Sequence, residues 1–151
     1  MTNPTVRTLD ERIRDTRRHL EQDVDTWVST ASADGTPHLV PLSFLWDGEE
    51  ILISTVRTAP TSRNLLAGGS VRLAFGATRD VVLAEGRATA VEEHVLDAAT
   101  ADAFAAKTGF DPRQEKQEYV YFRIRPQRVQ AWREADELAG RTLMRDGTWL
   151  A

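Results

Sequence analysis

Apolar residues recur at helical spacing once, near the start of the chain, and afterwards follow the patterns of β-strands. Within residues 8–22, Leu9, Ile13 and Leu20 share one stripe while Arg and Glu fill other positions, which predicts an amphipathic helix. Thr8 followed by Glu11 makes a capping box at its start. Residues 27–32, 37–46 and 50–56 then read as strands. Asp34-Gly35 and Asp47-Gly48 separate them; Asp-Gly tolerates the positive φ of a tight hairpin, so the three form an antiparallel meander. A loop and short helix at 58–67, closed by Gly68-Gly69, lead to a strand at 71–77. A longer strand follows at 80–91, where Gly86 marks a bulge or bend.

Residues 93–106 read as a helix, with Val95, Leu96, Ala99, Ala103 and Phe104 apolar, and 109–116 as a polar connection. In 119–125, Tyr119, Tyr121, Arg123 and Arg125 alternate with Val120, Phe122 and Ile124, the pattern of a half-buried strand. Pro126 permits a kink before a last barrel strand at 127–133, and Asp146-Gly147 makes a further turn. The expected architecture is a single α+β domain over 1–151: a helix at about 8–22, an antiparallel split β-barrel of about six to seven strands at about 26–134, and a short C-terminal tail. Barrel closure would remove sheet edges that otherwise aggregate.

Composition narrows the function. No run of about 18 apolar residues is present to span a membrane, and residues 1–10 lack an apolar signal core, so a cytoplasmic location is expected. The absence of cysteine removes disulfides, thiolate catalysis and Cys-ligated zinc. A net charge of −4 argues against nucleic acid as a partner. His19, His38 and His94 have no partners at metal-ligand spacing, so no metal is expected. Paired carboxylates such as Glu49-Glu50 and Glu92-Glu93 sit beside turns or helix starts, where solvation explains them. No catalytic acid–base residue is identifiable.

Residues 53–65 stand out, with Ser54, Thr55, Arg57, Thr58, Thr61, Ser62, Arg63 and Asn64 following a strand and entering a helix. Hydroxyls, helix-start amides and guanidinium groups suit an anionic phosphate. A hydroxyl here that merely caps the helix explains the same residues.

The order Trp27-Val-Ser-Thr, Asp34-Gly35, Pro37 to Trp46, Asp47-Gly48, then Ser54-Thr55 to Arg63-Asn64-Leu65, resembles the pyridoxamine-phosphate-oxidase-like split-barrel superfamily. Val71 to Phe75, Leu83 to Ala88 and Pro126 to Trp132 continue the pattern, and the similarity is greatest to the branch of F420-dependent flavin/deazaflavin oxidoreductases. The resemblance implies a homodimer with cofactor sites at the subunit interface. It places the cofactor ring against Val40, Pro41, Leu42 and Ser43, and the phosphate at Ser54, Thr55, Arg57, Thr61 and Ser62 with Arg63 or Asn64. Trp132 resembles a family tryptophan close to the cofactor in the dimer, and an ordinary core aromatic equally well. Many relatives carry Lys where this chain has Thr61.

The function so implied is hydride transfer from reduced deazaflavin coenzyme F420 to a small organic substrate, the cofactor carrying the difficult step. The Arg- and Ala-rich composition fits an actinobacterial source, where this deazaflavin is common. The alternatives are an FMN enzyme of pyridoxamine-phosphate-oxidase type and a non-catalytic flavin- or haem-binding protein, with His38 the first axial candidate for haem.

Overall fold

The computed structural model describes residues 6–151. A helix, α1 (Leu9–Gln22), opens the chain on the expected capping box: the Thr8 hydroxyl accepts from the Glu11 amide, and the Glu11 carboxylate accepts from the Thr8 amide. Its inner face carries Ile13 and Leu20 and also buries Arg12 and Thr16, while Leu9 is left exposed. Strands β1 (Asp25–Ala31), β2 (Pro37–Trp46) and β3 (Ile51–Val56) form the meander. Gly35 and Gly48 take φ of +86° and +101°, as the two hairpin turns require.

Helix α2 (Pro60–Gly68) ends on Gly69 in the left-handed conformation, then β4 (Ser70–Phe75) and β5 (Val81–Val91) follow. Gly86 does sit at a register shift between β5 and the long strand β6 (Tyr119–Trp132), where a Cβ would run into the Arg125 carbonyl. Pro126 lies within β6, which continues through it as one strand. Helix α3 (Ala98–Thr108) joins β5 to β6 and starts five residues later than the apolar pattern suggests. Asp97 sets that start, because its carboxylate accepts from the Thr100 amide at 3.0 Å and caps the first turn; Val95 stays outside, exposed.

Six strands close in the order β3-β2-β1-β4-β5-β6, with β3 pairing β6 along its whole length. Two further strands, β7 (Thr142–Arg145) and β8 (Thr148–Trp149), extend the sheet as a hairpin beside β6. Ile13, Phe44, Ile53, Phe75, Phe122 and Leu143 belong to the principal core. A smaller core, Leu52, Leu96, Ala101, Phe104 and Tyr121, lies beneath α3. The Tyr121 face of β6 is therefore buried as well, and the strand is not half-exposed at that residue as its alternation suggests. Phe104 meets the Tyr121 ring edge-on at 5.7 Å.

Candidate functional site

The barrel is split between β2 and β3. These strands pair only across Phe44–Ile53, Leu45–Leu52 and Trp46–Ile51. Beyond Phe44 they part, so the residues before it on β2 and those after Ile53 on β3 have no strand between them. Each strand is held from its far side: β1 pairs β2 from Asp25–Ser43 to Ala31–Pro37, and β6 pairs β3 up to Val56–Tyr119. Each therefore turns a strand edge, with its backbone donors and acceptors, towards the opening.

A groove of about 370 Å³ lies in this opening, lined by Pro41, Leu42 and Ser43 from β2 and by Ser54, Thr55 and Val56 from β3. Asp25, Phe104, Phe110 and Tyr119 complete its lining. The volume is within the range of small-molecule sites. Lys107 pins α3 at the point where the strands diverge: its ammonium lies 4.4 Å from the Phe44 ring centre and donates to the Phe44 carbonyl at 3.2 Å. Burial pushes this lysine's pKa down, against the attraction of Asp23.

The residues singled out in the sequence fall into several environments. Pro41, Leu42, Ser43, Ser54 and Thr55 meet in the groove. Val40, beside them on β2, packs against the main core. The Ser54 hydroxyl donates to the Val120 carbonyl, and the Ser62 hydroxyl to the Val56 carbonyl, so both are used within the fold. Thr61 is buried, at 1% exposure. Neither Thr61 nor Ser62 caps α2, whose N-cap is Ala59 with no side-chain hydrogen bond. Its first amides consequently have no side-chain acceptor. Asn64 turns the other way, donating to the Thr30 hydroxyl and lining a separate cavity with Arg72 and Glu85. Arg63 is exposed.

Arg57 is already engaged. Its guanidinium donates to Glu92 in a short contact and to Glu118 at 2.9 Å. Trp132 ends β6, opposite the end that carries Tyr119, and is roughly 40 Å from it along the 14-residue strand. Within one chain it stands apart from the groove. His38, on β2, pairs with Thr30 of β1 and is outside the groove's lining.

Asp25, Phe104, Phe110 and Tyr119 were not singled out by sequence reasoning. A β1 residue reaches the groove because Asp25 faces Ser43 in register, and the Ser43 hydroxyl donates to it at 2.7 Å. The aromatic lining depends on α3 folding back against β2, with Phe104 packed on Leu52 and Tyr121; Phe110 and Tyr119 bring their ring centres within 5.4 Å. The alternation of 119–125 was the available signal for Tyr119, although it gave no indication of what the residue faces.

Among the described residues, no helix is long and apolar enough to cross a membrane, and no group of three or more His, Asp or Glu side chains is placed to hold a metal. Comparison with curated protein sequences gives no match. Among solved structures, the chain is similar to one described as an F420 reductase, with TM-score 0.63 and 20% identity over 75% of this chain and 94% of that one. It is similar to a putative pyridoxamine 5'-phosphate oxidase from Listeria innocua, with TM-score 0.64 and 17% identity over 84% of this chain and 100% of that one. A third is HutZ, the heme storage protein from Vibrio cholerae, with TM-score 0.61 and 18% identity over 83% and 95% of the two chains. The family model described as pyridoxamine 5'-phosphate oxidase matches residues 14–133, which contain all six barrel strands and the groove, and the chain belongs to that family.

Proposed function

We propose that this protein is an oxidoreductase of the cytoplasm that binds a flavin-type cofactor in the split of its barrel and transfers a hydride from reduced coenzyme F420 to a small organic substrate. The observation that carries the reading is the pair of free strand edges facing each other across a groove of about 370 Å³. A planar heterocycle with polar edges satisfies both rows of backbone groups while its faces meet apolar side chains. The cofactor would supply the hydride chemistry; the chain supplies binding, orientation and exclusion of water.

The residues divide accordingly. Val40, Pro41, Leu42 and Ser43 hold the ring by backbone hydrogen bonds and contact. Thr55 and Arg63 are the donors left to a phosphate near the start of α2, because Thr61 and Ser62 are buried and the Arg63 amide already donates to the Ala59 carbonyl. Arg57 joins them only when it exchanges Glu118 or Glu92 for the ligand. The active form is a homodimer. Trp27 and Leu39 are 49% and 60% exposed on the outer face of β1 and β2, an apolar surface suited to a second copy. The second copy is also the route by which Trp132 comes near the cofactor.

Fluorescence titration of the purified protein with coenzyme F420 and with FMN tests the reading, followed by turnover with the reduced form of whichever binds. F420 is expected to bind in the micromolar range, with FMN weaker. Tighter FMN binding would transfer the same groove to an FMN enzyme, and failure of both to bind would overturn the proposal. Sedimentation at micromolar concentration should show a dimer; a monomer would remove Trp132 from the site.

A further inference from the structure

Three features of the groove set the charge of what it can hold. The Asp25 carboxylate is part of the lining and is fixed there by the Ser43 hydroxyl at 2.7 Å. No basic side chain lines the groove among the described residues, and Lys107, where the strands diverge, spends its ammonium on the Phe44 carbonyl and ring. Arg57, which directly follows the lining residue Val56, has its charge taken up by Glu92 and Glu118, so two carboxylates accompany that one cation. The lining also includes the aromatic side chains of Phe104, Phe110 and Tyr119, whereas Asp25 lies on the β1–β2 side beside Ser43.

We propose that the part of the groove between Asp25 and the Phe110–Tyr119 pair is a subsite for a cationic planar heteroaromatic substrate and rejects anionic ones. Phe110 and Tyr119 offer π-faces, to which a delocalised cation is attracted more strongly than a neutral ring. Asp25 accepts a hydrogen bond from a ring N–H or faces the ring's positive charge. Its own hydrogen bond from Ser43 leaves oxygen lone pairs free for that contact. An anionic substituent placed here would meet Asp25 with no basic residue in the lining to offset it, and Glu118 would already occupy Arg57. The inference rests on the groove being the ligand site proposed above, and concerns the part of it between Asp25 and the Phe110–Tyr119 pair. In that reading the anionic part of the cofactor lies towards the start of α2.

The test uses two fluorescent probes of one ring system, N-methylacridinium and acridine-9-carboxylate, titrated into the full chain without cofactor. The cation is expected to bind saturably and at least tenfold more tightly than the carboxylate. Asp25→Asn keeps the Ser43 hydrogen bond and should reduce that ratio about five- to tenfold. The ratio is measured on one preparation, so a partly unfolded fraction affects both probes alike. The double variant Glu92→Gln/Glu118→Gln releases Arg57 and should strengthen binding of the carboxylate probe. Equal affinity for the two probes, or a ratio unmoved by Asp25→Asn, would overturn the subsite. Because no cofactor is present, this failure is distinct from a failure of the F420 and FMN titrations.

Discussion

At the scale of single residues, the strongest polar constraint lies outside the groove, at Glu137. This carboxylate is 1% exposed and receives the Arg7 guanidinium at 2.7 and 3.0 Å together with the backbone amides of Arg7 and Arg133. The bonds from Arg7 lower its pKa from an ordinary 4.5 to about 2, burial acting in the opposite direction. The stabilisation is therefore complete above about pH 4.5 and lost as the pH falls through about 2. A shift of that size corresponds to about 3 kcal/mol. Glu137→Ala should cost on the order of 3–5 kcal/mol in urea unfolding at pH 7, because it also leaves the buried Arg7 with Asp15 as its one remaining carboxylate partner. His19 works with the opposite sign. Its ring nitrogens lie 2.9 Å from Asp23 and 3.0 Å from Asp80; burial alone would lower its pKa, but these two bonds raise it above 6.5. Its contribution is complete below about pH 6.5 and disappears as the pH rises through the higher folded-state value. Between about pH 6 and pH 9 the melting temperature should fall further in the natural protein than in His19→Gln, and parallel curves would remove His19 as the cause. Neither group could be identified in the sequence: Arg7 and Glu137 are 130 positions apart, and the polar stripe around His19 has the same pattern as a solvated one.

At the scale of elements, local chemistry was legible wherever it is set by neighbouring residues. The capping box, the Asp-Gly hairpins and the Gly69 helix end are all decided within about four residues of chain. The glycines nevertheless serve two different purposes, and substitution should separate them. A Cβ at Gly35 or Gly48 meets nothing within 4 Å, so the cost of a side chain there is the positive φ alone. Gly35→Val and Gly48→Val should each destabilise the fold by about 1–2 kcal/mol or somewhat more for the β-branch. Gly86 has an ordinary φ but lies against the Arg125 carbonyl, so even Gly86→Ala must push β5 away from β6. Its expected cost is larger, about 2–3 kcal/mol, and reversing that order in thermal melts would contradict the bulge. The start of α3 was misplaced because apolar Val95 and Leu96 extend the helical pattern backwards, whereas the capping carboxylate sits at Asp97. The burial of Tyr121 was invisible for a related reason. Alternation distinguishes two faces of a strand, but the helix that covers the second face arrives from another part of the chain.

At the scale of the whole molecule, the barrel was legible and the position of its opening was not. Strand order follows largely from hairpins between neighbours, but the split depends on where β2 stops pairing with β3, and both strands run on past that point against their other neighbours. The resemblance to a known family brought Pro41, Leu42, Ser43, Ser54 and Thr55 to attention together; it gave no sign of Asp25 or of the aromatic wall that shares their groove. The C-terminal segment is the clearest case of tertiary structure overriding local appearance. Read as a short tail, residues 134–151 instead complete the core: Leu143 is fully buried, Met144 is 4% exposed, and both belong to the main cluster. Arg12 of α1 ties this segment back to the helix by donating to the carbonyls of Glu137 and Ala139 at 2.8 and 3.2 Å. Deleting everything after Arg133 would expose the surfaces that Leu143 and Met144 cover, at about 1.5–3 kcal/mol for each side chain lost. It would also take the Glu137 carboxylate from Arg7 and the Glu137 and Ala139 carbonyls from Arg12, at about 1–3 kcal/mol for each buried donor left unsatisfied. The sum is comparable with the roughly 5–15 kcal/mol that holds a domain of this size together. A chain ending at Arg133 should therefore show no cooperative melting transition above room temperature, although it retains every residue matched by the family model. A sharp transition within about 5 °C of the full-length value would show that the hairpin is an appendage and that the barrel is stable without it.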